Sequence, residues 1–389
     1  MTGTVLHRDL QSTPLNEILS GCRDLLEDTS FPTVAAWREG GGAVVGHFQV
    51  YFPEELAHAA GALPLRMRGA PLEPQQADSH FGSYLCSILK TSLEVVLSGR
   101  VTLDLFVTHP ICDAARNLAG IFGRNFEYPC QILYLPQNAN SAFAAEYLRG
   151  EYGRLLRTIE EVTGSSVSAD DLKASIEIYN RNRALLRELY RIKRESPWKI
   201  AADEAYALMA VGSVMRREEH NRLLEATLPK VEAREARRLD RVTVVFEGGF
   251  CEQPPLDLLG VIARSCYVVD DDLLIGMRWL LDDVPTDGDP LFNLAYAYLE
   301  HSSYSPVQHD NRKPKEEMLL KRVRAAGAQA AIVTAAKMCE PGLEEQVAYT
   351  KGLDAAGVPY FVSEFEENMT SFDHLEIQLE TFVENLMFD

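Results

Sequence analysis

The sequence predicts an α/β protein with a parallel sheet toward each end of the chain and a helical stretch between them. Short apolar runs that suit buried strands alternate with amphipathic segments from about residue 42 to 136, and again beyond 241. Between 142 and 240 the strand-like runs disappear and helical periodicity takes over. At 389 residues the chain is too long for one ordinary domain. The expected division is an N-terminal α/β domain over 1–141, a helical region over 142–240 and a C-terminal α/β domain over 241–389.

Taken in order, "GAVVGHF" (42–48) reads as a strand. "PEELAHAAG" (53–61) reads as a helix, with proline suited to its first turn and glycine to its end. "FGSYLCSILKTSLEVVLSG" (81–99) reads as a longer amphipathic helix, followed by a strand over 103–108. A helix over 113–122 leads to "CQILYLP" (130–136), another buried-strand candidate. In the middle region Ser168 and Asp171 make a capping-box pattern with Asp in the usual place of Glu. It opens the periodic run "LKASIEIYNRNRALLRELYRIKRE". The chain turns helical again after Pro197, and its mixed charges read as a solvated helix face, with a docking surface as the alternative. Strands are then expected at 242–246, 267–269, 331–334 and 360–363, with helices between. No repeat of fixed short period and no low-complexity tract is visible.

Composition narrows the function. A hydrophobic fraction of 46% and a charged fraction of 24% suit a globular protein with ample core. No apolar stretch reaches the ~20 residues of a membrane span. The N-terminus has no basic start followed by an apolar segment, so the expectation is a cytoplasmic chain whose seven cysteines are reduced. A net charge of −19 argues against nucleic acid, whose binding rests on neutralising phosphates. It leaves room for one small polyanionic ligand held by a local group of arginines. "GGGAVVG" (40–46) lacks the lysine and following helix of a phosphate loop, and there is no GxGxxG, GxSxG or HExxH pattern. ATP or nicotinamide chemistry is therefore expected on another chain.

The cysteines carry the chemistry. Cys112 ("LDLFVTHPICD"), Cys251 ("VTVVFEGGFCEQPP") and Cys339 ("AAIVTAAKMCEPG") each follow an expected strand. In an open α/β sheet ligands bind beyond the carboxyl ends of the strands, so thiols arriving there can converge on one metal centre. Cys86 joins them as a candidate. For each of these four, an ordinary buried thiol is the plain alternative. Cys22, Cys130 and Cys266 read as core packing. His47 and His109, close to strand ends, read as satisfied polar residues rather than catalysts.

The motif "VVGHFQVYFPEELAHAAGALPLRMRG" resembles the opening of the 2-hydroxyacyl-CoA dehydratase and benzoyl-CoA reductase family. "HPICDAARN", "CEQPPLDLLGVIARSCYVVDDD" and "AAKMCEPGLEEQVAYTKGLDAAGVPYFVSEFEEN" fit the same family in the same order, from about residue 46 to the C-terminus. The stretch 247–272 and the length resemble the smaller catalytic-core subunits, of C or B type, of ATP-dependent benzoyl-CoA reductases.

The resemblance implies two Rossmann-like domains with helical additions, and a 4Fe–4S cluster held by cysteine thiolates near an acyl-CoA site. Carried over by position, the metal ligands are Cys86, Cys112 and Cys339, with Cys251 in reserve. Gln49 stands where many relatives have a further cysteine, so the fourth iron is left to water, substrate or another group. Arg66 and Arg68 of "PLRMRG", read as a turn, are candidates for the CoA phosphates, with solvated surface arginines as the alternative.

The implied partners are a paralogous catalytic subunit, an ATP-hydrolysing iron–sulfur activator, reduced ferredoxin as donor and an acyl-CoA substrate, with no nucleic acid and no membrane. The expected function is the passage of low-potential electrons to the ring of benzoyl-CoA, giving a cyclic dienoyl-CoA. The alternatives are a subunit of a 2-hydroxyacyl-CoA dehydratase, or a non-catalytic two-lobed protein closing on a ligand by a hinge.

Overall fold

The computed structural model describes residues 9–48, 51–248, 254–273, 282–302, 310, 312–366 and 369–388. Cys251 and Gln49 lie outside the described residues.

The first part of the chain runs α1 (Leu15–Glu27), α2 (Pro32–Glu39), β1 (Val44–His47), α3 (Glu54–Ala59), β2 (Leu63–Arg66), α4 (Ser87–Leu97), β3 (Leu105–Thr108), α5 (Asp113–Asn125) and β4 (Cys130–Ile132). Its strands pair in the order β2-β1-β3-β4, all parallel. Every residue of β1, β2 and β3 is buried. Helices cover both faces of such a sheet, which is why these strands read as continuous apolar runs rather than alternating ones.

Four helices follow: α6 (Ala144–Thr163), α7 (Ala169–Glu195), α8 (Ala202–Ala210) and α9 (Arg217–Glu232). The expected capping box opens α7, with the Ser168 hydroxyl accepting from the Asp171 amide at 3.2 Å and the Asp171 carboxylate accepting from the Ser168 amide at 2.9 Å. Mixed charges on these helices pair with one another at the surface, as Arg181 with Glu225 and Arg191 with Glu188 and Glu232.

The last part holds β5 (Val242–Glu247), α10 (Leu256–Ser265), β6 (Cys266–Asp271), α11 (Pro290–Glu300), α12 (Lys315–Ala326), β7 (Ala330–Ala336), α13 (Glu340–Ala356), β8 (Tyr360–Phe365) and α14 (Asp373–Phe388). Its sheet has the order β6-β5-β7-β8, again all parallel. The fold is thus α/β with two Rossmann-like sheets. Each sheet has a switch point, between β1 and β3 and between β5 and β7, where successive connections leave in opposite directions and open a crevice. One continuous core joins residues of both sheets, from Val44 and Phe106 to Val244 and Ile332. No helix among the described residues is long and apolar enough to cross a membrane.

Three local expectations change. The segment 81–86 is not helical: α4 begins at Ser87 with Cys86 at its N-cap. Gly82 lies under the Tyr84 ring, where a Cβ would stand 2.5 Å from it, so the chain folds on itself here instead of entering the helix. "PLRMRG" does not open as a turn, because Arg66 closes β2. Pro64 hid that strand from the sequence; β2 tolerates a proline because it is an edge strand pairing with β1 alone. Strand β4 is shorter than 130–136, ending at Ile132.

Candidate functional site

Beyond the carboxyl end of the first sheet, at its switch point, lies a cavity of about 320 Å³. Phe48, following β1, forms part of its wall, and Ile111 and Cys112, following β3, form another. Cys86 and the first turn of α4 close one side, and Met338, Cys339 and Pro341, arriving from the end of β7 in the second sheet, close the opposite one. The structure therefore brings Cys86, Cys112 and Cys339 to a single cavity. Apart from the thiols, the wall is largely apolar, with Leu85, Ile88 and Leu89 from the α4 side.

Local sequence explains how each thiol is presented. All three occupy N-cap positions: Cys86 for α4, Cys112 for α5 and Cys339 for α13. An N-cap side chain can accept from the free N–H groups of the first turn; Cys112 does so, while Cys86 and Cys339 make no side-chain cap hydrogen bond. The Cys112 sulfur accepts from the Ala115 amide at 3.3 Å. Cys339 is turned inward by Met338, whose φ of 60° is rare for a residue with a side chain and which leaves its own side chain in solvent. Gly342, three residues into α13, leaves space for the sulfur: a Cβ there would stand 3.3 Å from Cys339 Sγ.

Burial raises the Cys112 thiol above its ordinary value; the amides of Ala115 and Ala114 pull it back, while Cys339 and Glu340 add to the rise. A buried thiol of this kind is a poor nucleophile at neutral pH and is deprotonated when a metal binds. Among the described residues no three His, Cys, Asp or Glu side chains form a group that could hold a metal ion. The thiols stand around a cavity instead, an arrangement suited to a group of several atoms.

The remaining cysteines lie elsewhere. Cys22 is in the core of α1 and Cys266 opens β6, and burial pushes each up to about 12. Cys130 starts β4 half-buried, pushed up to about 11 by the same cause. Neither Arg66 nor Arg68 lines the cavity. Arg66 is buried opposite His47 in the β1–β2 register. Arg68 is half-buried and donates to the Leu26 carbonyl.

A polar network beside the cavity went unnoticed in the sequence. His47 Nε2 lies 3.4 Å from Glu54 Oε1, Glu54 pairs with Arg217 of α9, and the Tyr179 hydroxyl donates to Glu54 at 3.1 Å. Burial pushes the Glu54 carboxyl up, but Arg217 and then His47 more than offset it and hold the group well below the usual carboxylate range. His109, fully buried, is driven down to about 3, by burial first and His47 second. His47 and His109 stood out by their places near strand ends, but the members come from positions as far apart as 47 and 217, so no local pattern joined them to Glu54, Tyr179 and Arg217.

The family model described as 2-hydroxyglutaryl-CoA dehydratase, D-component, matches residues 49–386. The chain is 34% identical to the C-type subunit of the benzoyl-CoA reductase of Thauera aromatica, covering 95% of this chain and 98% of that protein. It is 28% identical to lactoyl-CoA dehydratase subunit beta of Anaerotignum propionicum, covering 90% and 93%. It is 26% identical to (R)-2-hydroxyglutaryl-CoA dehydratase subunit beta of Acidaminococcus fermentans, covering 91% and 95%. With all three cavity thiols and every strand but β1 inside the residues that the family model matches, the chain belongs to the 2-hydroxyglutaryl-CoA dehydratase D-component family.

Proposed function

We propose that this chain is the iron–sulfur subunit of an ATP-dependent aromatic acyl-CoA reductase that reduces the ring of benzoyl-CoA to a cyclic dienoyl-CoA. The observation that carries the reading is the meeting of Cys86, Cys112 and Cys339 on one cavity at a sheet switch point. The similarity to one of the chains of a benzoyl-CoA reductase supports the substrate class.

The donor set fits a 4Fe–4S cluster: three thiols, buried surroundings and room for a group larger than one ion. Cys86, Cys112 and Cys339 would hold it, with the fourth iron left to water, substrate or a partner's group. When bound, such a cluster supplies single low-potential electrons. The chain's own residues exclude water with the apolar wall of Phe48, Leu85, Ile88, Leu89 and Ile111. A dry surrounding matters because an added electron on an aromatic ring makes a strongly basic species that bulk water would protonate without control. The thioester carbonyl of the substrate delocalises that charge.

Arg66 and Arg68 are proposed to meet the CoA phosphates from the β2 edge, outside the cavity. The full system includes a paralogous subunit, an ATP-hydrolysing activator and a ferredoxin-like donor, all in the cytoplasm.

A second reading, as part of a 2-hydroxyacyl-CoA dehydratase, is favoured by the family description and by the two dehydratase relatives. One experiment separates them. The complex, co-produced with its genomic neighbours without oxygen, is analysed for iron and sulfide, then supplied with ATP and a strong reductant. Ring reduction of benzoyl-CoA with continuous ATP hydrolysis supports the reductase. Dehydration of a 2-hydroxyacyl-CoA with only catalytic ATP assigns the second reading, and benzoyl-CoA reduction by the isolated chain with a nicotinamide and no ATP overturns both.

A further inference from the structure

The cavity wall has an unusual electrostatic makeup. Among its described residues there is no Lys, Arg or His, and two carboxylates, Asp113 and Glu340, stand at its edge. The chain as a whole is acidic, with a net charge of −19. A thiolate-ligated cluster placed there carries negative charge and gains more when reduced, so something must offset it. The groups available are the first turns of α4, α5 and α13, of 11, 13 and 17 residues, each beginning at one of the three thiols. A helix N-terminus carries roughly half a positive charge on its free N–H groups. The Ala115 amide, 3.3 Å from Cys112 Sγ, shows such a donor already aimed at a ligand sulfur. Asp113, with 90% of its side chain exposed, is screened by solvent and does not cancel a donor in direct contact.

We propose, on the reading that the cavity holds a thiolate-ligated iron–sulfur cluster, that these three helix N-termini form one anion cradle, and that Gly342 is a positioning residue within it. The cradle's N–H groups, rather than any cationic side chain among the described residues of the wall, stabilise the reduced form. One electron entering from an external one-electron donor adds one negative charge with no bond broken and no proton moved, and the N–H dipoles answer that charge. Gly342 contributes by letting the Cys339 sulfur lie against the start of α13, where a Cβ would crowd it at 3.3 Å.

The test is a potential, not a turnover. In the anaerobic complex the Ala115 residue is replaced by its α-hydroxy acid counterpart, which exchanges one N–H for an ester oxygen and leaves the side chain in place. The one-electron midpoint is then read by electron paramagnetic resonance during titration with dithionite. Loss of one charge-assisted donor is expected to shift the equilibrium about tenfold toward the oxidised form, a fall of about 59 mV for one electron. The same exchange at Asp171, whose amide caps α7 through Ser168, removes an N-terminal N–H outside the cavity and should leave the midpoint in place. Gly342→Ala should move the midpoint in the same direction and speed iron loss to a chelator.

An unmoved midpoint in the Ala115 ester, at wild-type iron and sulfide content, overturns the cradle while leaving the cluster assignment intact. Equal shifts from the Ala115 and Asp171 esters also overturn it, since the effect would then be structural. A wild-type complex that holds no iron removes the cluster reading, and the cradle with it.

Discussion

Cys86, Cys112 and Cys339 share one cavity, whereas Cys22 is core on α1, and that contrast makes a direct experiment. Serine in place of any cavity thiol should leave the anaerobically purified complex with less iron than Cys22→Ser does. Full iron in the Cys339→Ser protein would remove that residue from the ligand set. Asp270 offers a test by pH. Burial first, and the neighbouring Asp271 second, raise its carboxyl from 3.8 to about 6. The native state then holds more protons than the unfolded chain between about pH 4 and 6, so this group's contribution to stability falls as pH rises through that window. Asp270→Asn should therefore stabilise the protein near neutrality, on the order of 2 kcal/mol once the lost contact with Arg194 is discounted. The gain should vanish below about pH 4. Denaturant melts at two pH values read it, and a gain independent of pH would mean that Asp270 titrates normally.

At the scale of elements, what could be read in advance followed local chemistry. Strands covered on both faces announced themselves as apolar runs, and Ser168 with Asp171 announced the start of α7. Ser168→Ala should cost about 1 kcal/mol in a thermal or denaturant melt. Strand β2 was hidden because Pro64 argues against a strand until its edge position is known. The true start of α4 was hidden because nothing local shows the Tyr84 ring lying over Gly82. For the site, the family motifs pointed to the three cysteines, but that each is an N-cap became visible only with helix boundaries in hand. The Glu54–Arg217 pair was beyond sequence reasoning altogether, since its members lie on α3 and α9. Element packing also yields a prediction at Gly46, in β1. A Cβ there would stand 2.5 Å from a Leu103 methyl that is itself buried, so Gly46→Ala should cost about 1–3 kcal/mol through overpacking.

Across the whole molecule, α7 is one element that ties the two sheets together. Near its middle Arg183 pairs with Glu55 of α3, both side chains almost wholly buried, in the part of the chain that carries the first sheet. Near its end Lys193 pairs with Asp271 at the close of β6, where the Tyr190 hydroxyl also donates to Asp271 at 2.5 Å. Ten residues of helix separate the two cations, roughly 15 Å of rigid rod. Charges buried this deeply gain little net stability as pairs, but removing one partner strands the other in a low-dielectric interior. Arg183→Met should therefore destabilise the chain by about 3–5 kcal/mol, while the double change Arg183→Met/Glu55→Leu should recover most of that loss. Because the core is continuous from β1 to β7, the loss should be felt in both sheets. Native-state hydrogen exchange distinguishes the possibilities: amides of β1 and of β7 should speed up together in the single mutant. Acceleration confined to β1–β4 would mean that the second sheet unfolds on its own and that α7 does not couple them.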